Sequence, residues 1–405
     1  MSEPRHPPLA RRLTLPLLTF YGLGTTIGAG IFVLTGKVAG RAGMWAPVSF
    51  LMAALLAGVT AFAFAELVTR YPRSAGEAVY VGEGFRSPAL ARLVGLMVVA
   101  AAVVSSATIT NGAVGYLQDF VALPDALGVV LFVALLAALC GWGIGESVTA
   151  AAVFTVLEIA ALLLVIWAAR GGLGEAPARL DELLPPLGAD AWLAISGGAM
   201  LAFYAFLGFE DLVNVVEEAR DAARSMPAAI FLTLGLTTLL YGLVSLAAVL
   251  SVPPADLAAG DAPLAMLYER TGGDPRIVGG VAVFAVLNGA LIQMIMASRV
   301  LYGMGDQRWL PDLLAYVHPR TRTPLVATGV VAALVLALAL LVPLERLAEV
   351  TSGIVLLVFT MVNLALVLVK RRGDPPPPGA RVYPVWVPAL GAAVSFGFLL
   401  LQVMR

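Results

Sequence analysis

At 405 residues, 60% hydrophobic and only 13% charged, with a mean hydropathy of +0.93, the chain is far more apolar than a soluble domain, which is about half apolar and a quarter charged. The net charge of −1 gives no footing for a nucleic-acid partner, and the one cysteine, Cys140, excludes an internal disulfide framework. The composition predicts one all-α polytopic domain, residues 1–405, embedded in a lipid bilayer.

A hydrocarbon core ~30 Å thick needs ~20 apolar residues per helix. Eleven stretches meet that length or come close, near 15–39, 45–69, 88–118, 126–143, 147–170, 191–216, 227–251, 277–302, 324–343, 348–370 and 386–404. The basic N-terminal stretch runs into a long span without a small-residue cleavage site, so it does not read as a cleaved signal. With the N-terminus placed in the cytoplasm, Lys and Arg favour the inner segments by roughly two to one. A multi-pass protein of the inner (cytoplasmic) membrane is expected, with the N-terminus cytoplasmic. Residues 171–190, 252–276 and Pro375 to Pro378 read as connectors.

The first span carries GlyLeuGlyThrThrIleGlyAlaGlyIle at residues 22–31. In hydrocarbon, backbone is freed from helical hydrogen bonds only where protein or a water-filled cavity satisfies it. Paired Gly-interrupted spans mark the binding site of many secondary transporters. A second break is expected at residues 205–210, in the sixth span. The offset of five predicts two five-helix repeats of opposite topology, 15–170 and 191–370, with 386–404 as an added eleventh span. This is a 5+5 inverted repeat with discontinuous helices 1 and 6.

Unwinding at Thr26, Ile27, Gly28, Ala29 and Gly30 would aim the N–H groups of a half-helix at a carboxylate. Carbonyls freed near Tyr204, Ala205 and Leu207 would suit an ammonium group. An anion-binding end opposite a cation-binding end has the polarity of an α-amino acid.

These runs also resemble a known family. ThrThrIleGlyAlaGlyIlePhe is similar to the first-span signature of the amino acid–polyamine–organocation superfamily, and PheTyrAlaPheLeuGlyPheGluAsp followed by GluGluAlaArgAsp to its sixth span. Residues 65–76 resemble the cytoplasmic end of its second span, and residues 298–311 with 317–324 its eighth-to-ninth loop. The resemblance implies a LeuT-type fold, amino-acid transport by alternating access, an aromatic gate at Tyr204 and a coupling or gating acid at Glu210. It places third-span lining positions near Ala102, Ser106 and Ile109, none of them charged, which favours small or neutral substrates. Thr351, Ser352 and Asn363 of the tenth span are further candidates.

Glu158 lies about a dozen residues into the fifth span, roughly 18 Å along the helix. Intramembrane acids are functional by default. Where proton-coupled relatives often carry a lysine, this chain has the acid. It could bind and release a proton, or it could stay permanently hydrogen-bonded to backbone. Asn288 and Gln293 are expected to form interhelical hydrogen bonds, Glu66 to pair with an arginine, and Glu217 and Glu218 to be solvated. The eighth span has Ser298 alone among serines and threonines, so protons are favoured over sodium as the coupling ion.

The expected function is a secondary active transporter moving amino acids, small or neutral, across the inner membrane by alternating access with proton coupling. The alternatives are an amino-acid exchanger, or a polyamine or amine transporter of the same fold. His6 and His318 fall in loops and no metal, cofactor or nucleophile constellation is present, so an enzyme is not expected.

Overall fold

The computed structural model describes residues 9–118, 124–260, 262–341 and 347–403. The described residues are helical with no strand, apart from one isolated parallel bridge between Leu13 and Ala219. Each expected span falls on a helix: α1 (Leu15–Ala42), α2 (Ala46–Arg70), α4 (Pro88–Gln118), α5 (Asp125–Trp142), α6 (Ile144–Ala168), α7 (Ala189–Phe206), α8 (Ala222–Ser251), α9 (Pro275–Asp306), α10 (Leu325–Leu341), α11 (Leu347–Arg371) and α12 (Trp386–Val403). A short helix, α3 (Gly76–Phe85), links α2 to α4, and a 3-10 helix, Phe209–Glu218, continues the path of α7.

Eight helical stretches among the described residues are long and apolar enough to cross a membrane, and α10 and Trp386–Leu401 are shorter apolar helices. The outer faces are greasy: Leu55, Leu131, Leu163 and Leu239 are exposed. A helix that is apolar on its exposed side as well as its packed side suits lipid rather than water.

The broken helices lie together at the centre. α1 packs against α7, α8, α6 and α9, while α2 packs against α7 and α8. α4 lies along α9, and α11 packs on α3, α4 and α12. The connector 252–276 is less peripheral than expected. It forms helices Pro254–Ala259 and Pro263–Arg270, and its Leu257, Leu264 and Leu267 are buried. The reason is Gly36, which brings α1 so close that a Cβ there would overlap the Leu257 carbonyl.

Candidate functional site

Both expected breaks are present. Gly28 interrupts α1 with φ 18° and ψ −158°. Gly208 interrupts the passage from α7 to the 3-10 helix with φ 127°. That dihedral favours glycine, and a Cβ there would also lie 2.8 Å from the Thr25 carbonyl carbon. Gly30 lets the helices cross closely, since its Cβ would stand 3.2 Å from the Ala205 Cα. Thr25 and Thr26 donate their hydroxyls back to the Tyr21 and Gly22 carbonyls, both at 2.8 Å, a bond pattern that bends helices.

Tyr241 on α8 joins the breaks. Its buried hydroxyl lies 2.7 Å from the Thr26 carbonyl oxygen and 3.1 Å from that of Ala205, so it can donate to either. One of the carbonyls expected to be free for an ammonium group is therefore met from α8. Sequence reading missed Tyr241 because nothing local separates it from other aromatic residues of a span.

A cavity of about 270 Å³ opens between the breaks, α4, α9 and α11, near the small end of the ~300–1,000 Å³ usual for ligand sites. Thr26, Gly28, Gly30, Tyr204, Ala205, Leu207 and Glu210 line it, as do Ala102 and Ile109. Five other candidates sit elsewhere or fall outside the description. Ile27 is fully buried in the core. Ser106 is buried with its hydroxyl 3.5 Å from the Ala290 carbonyl oxygen, turned to α9. The side chains of Ala29, Thr351 and Ser352 lie outside the described residues.

The expectation of a neutral lining holds for α4 and fails for the opposite wall. Glu77, Glu210 and Asp211 all line the cavity, and no Lys, Arg or His is among its described lining residues. Glu210 accepts the Gly208 N–H at 2.7 Å, and Asp211 accepts from Gln293 at 2.9 Å. Glu77 accepts from the Asn214 amide at 3.2 Å through Oε1, while its buried Oε2 has no partner. Glu77 was missed because it sits on a short connecting helix, where an acid gives no hydropathy signal. Asp211 follows Glu210 directly, and only Glu210 was singled out from the sequence.

Glu158 is fully buried behind α1 and does not line the cavity. Its Oε1 accepts from the Asn288 amide at 2.9 Å. The same amide donates to the Thr155 hydroxyl at 3.0 Å, and that hydroxyl lies 2.9 Å from the Ala151 carbonyl oxygen and 3.2 Å from that of Phe20 on α1, so it can donate to either. Asn288 and Gln293 thus form the interhelical bonds expected of them. Glu158 Oε2 and Asn288 Oδ1 are buried without partners.

Acids at the helix ends are paired. Glu66 meets Arg70 at 2.9 Å and Lys370 at 2.7 Å, as an arginine partner was expected to do. The expectation of solvated acids is corrected for Glu218, whereas Glu217 is half-buried. Glu218 forms a fully buried pair with Arg299 at 3.3 Å, and Glu217 accepts the Ser74 N–H at 2.8 Å. The N-terminal strap explains the burial: Leu13 N–H donates to the Glu218 carbonyl at 2.9 Å, and Arg220 N–H donates to that of Leu13 at 3.0 Å.

Apolar helices around a mostly apolar cavity with an acidic wall, set between two helix breaks, suit a multi-pass membrane protein. Residues 13–404 match the amino acid permease family, and the chain belongs to it. It is 28% identical to the branched-chain amino acid permease BcaP of Bacillus subtilis, over 97% of this chain and 88% of that one. It is 30% identical to cationic amino acid transporter 3, mitochondrial, of Arabidopsis thaliana, over 90% of this chain but only 63% of the longer plant protein. It is 29% identical to a methylthioribose transporter of Bacillus subtilis, over 96% of this chain and 88% of that one.

Proposed function

We propose that this permease moves an amino acid across the inner membrane by alternating access, coupled to protons, with its N-terminus in the cytoplasm. The observation that carries the reading is the meeting of both helix breaks at one cavity. The α1 break offers a half-helix N-terminus to a carboxylate. The α7 break offers carbonyls to an ammonium group. Breaks in the first and sixth of eleven spans support a LeuT-type repeat of 15–170 against 191–370, with 386–404 added. The strap through Leu13 ties the N-terminal end of α1 to the end of the 3-10 helix, so the two half-helices would move as one unit.

Glu158 is the proposed proton carrier. It contacts α1 through Thr155 and Asn288, and it has a buried oxygen without a partner. Oε1 is held by Asn288, which leaves Oε2 as the atom proposed to carry the proton. Ser298 supports protons over sodium, because its hydroxyl already donates to the Ile295 carbonyl and accepts from Arg299. The three cavity acids favour a second reading for the solute, a cation-bearing amine. The relatives' names span branched-chain and cationic amino acids and a thioribose, so they leave the side chain open.

The test is uptake of radiolabelled alanine, leucine and lysine into proteoliposomes, with and without an inward proton gradient, for wild type and Glu158→Gln. Accumulation that needs the gradient and is lost in Glu158→Gln, with exchange retained, supports the reading. Equal uptake with and without the gradient would replace coupling by exchange or facilitated diffusion.

A further inference from the structure

The cavity wall formed by α3 and the 3-10 helix has a composition that an amino acid's own carboxylate and ammonium do not explain. Glu77, Glu210 and Asp211 lie on it together, buried to within a few per cent. A buried carboxylate is normally paired, because its desolvation must be offset by an opposite charge or several hydrogen bonds. Here the partners are neutral: amides from Asn214 and Gln293, and backbone N–H groups at Gly208 and at Glu77 and Glu210 themselves. The Glu77 Oε2 has no partner at all, although Glu77 is only 2% exposed and lines the cavity. The fold holds an acceptor ready and supplies no cation among the described lining residues.

The rest of the cavity suits a solute with an apolar stem. Val98, Ala101, Ala102, Val286, Val355 and Val358 line it. A basic side chain combines such a stem with a charged tip, and tends to lay its methylenes on apolar surface while its head seeks polar partners.

We propose that Glu77, together with Asp211 and Glu210, forms a cation subsite for the ammonium or guanidinium head of a basic amino acid, with the valine and alanine wall holding its stem. The proposal rests on the reading of this cavity as the solute site. It replaces a small or neutral substrate with a basic one. Glu77 contributes the open oxygen, Asp211 and Glu210 supply negative potential beside it, and Asn214 and Gln293 hold two of the carboxyls in place.

The test compares L-lysine with L-norleucine, which has the same stem and lacks the terminal amine. Initial uptake rates of both radiolabelled compounds into proteoliposomes give a kcat/KM ratio. Wild type should prefer lysine at least ten-fold. Glu77→Gln, and independently Asp211→Asn, should bring the ratio towards one while norleucine uptake persists. A general loss of folding would lower both rates and leave the ratio unchanged, so the ratio isolates recognition from stability. Wild-type transport of norleucine as fast as lysine would overturn the subsite and leave the permease reading intact, and that result needs no variant. An unchanged ratio in both variants would also overturn it, and altered pH dependence at constant ratio would assign the acids to protons instead. Uptake of neither compound would count against amino-acid transport itself, and the subsite would fall with it.

Discussion

The acids at the helix ends and the acids at the cavity are equally buried and differently treated. At the ends, Glu66 holds Arg70 and Lys370, and Glu218 holds Arg299. At the cavity, Glu77, Glu210 and Asp211 meet amides and backbone N–H groups, with no Lys, Arg or His among the described lining residues. The first arrangement is complete within the chain and fastens elements together. The second has no cation among its described lining residues, which is the arrangement the proposed cation subsite requires.

The comparison can be broken first at its paired side. Arg299→Ala should cost about 3–5 kcal/mol by stranding Glu218, read as a large drop in thermal stability in detergent. The double change Arg299→Met with Glu218→Met should recover much of it. A single change without effect would show that the pair is not needed to fasten the 3-10 helix to α9.

Between the two regions stands Tyr241. Tyr241→Phe removes the hydroxyl beside the Thr26 and Ala205 carbonyls and should cost about 1–3 kcal/mol. It should also weaken solute binding, since both breaks lose a common tie. Thermal unfolding and KM report the two effects separately.

The unpaired side predicts a pH effect at Glu77, which lies on α3 outside the spanning helices. Burial pushes its carboxyl up to about 7, against hydrogen bonds from its own backbone and Asn214. Glu210 and Asp211 on the 3-10 helix and Tyr80 on α3 are the titratable groups coupled to it. Only the ionised form pairs with a cation, so lysine affinity should fall as pH drops through about 7 while norleucine affinity stays level. Parallel curves for the two would sever Glu77 from recognition. The smallest effect is expected at the exposed pair of Arg12 and Glu146. Glu146→Gln should leave the melting temperature unchanged, because exposed pairs contribute little.

Much of this architecture was readable from the residues. Apolar runs placed the long apolar helices, because lipid demands length and continuity. The break at Gly28 was readable because two threonines beside the glycines suggest a polar bend rather than close packing, and the break at Gly208 because it falls five spans later. Glu66 was readable because Arg70 stands one turn away. What escaped was whatever depends on elements distant in sequence. Glu218 looked solvated until Arg299 and the Leu13 strap closed over it. Ser106 shares a helix with Ala102 and Ile109, yet faces α9. Glu77 and Tyr241 become site residues only once α3 and α8 are packed against the broken helices.

The most direct measurement of the central claim is competition against radiolabelled L-lysine uptake by L-lysine, L-lysinamide and Nα-acetyl-L-lysine. If one break holds the carboxylate and the other the α-ammonium, the parent amino acid competes and both blocked analogues fail. Competition by the amide as strong as by lysine would contradict a carboxylate site at Gly28–Gly30, and with it the assignment of the two breaks.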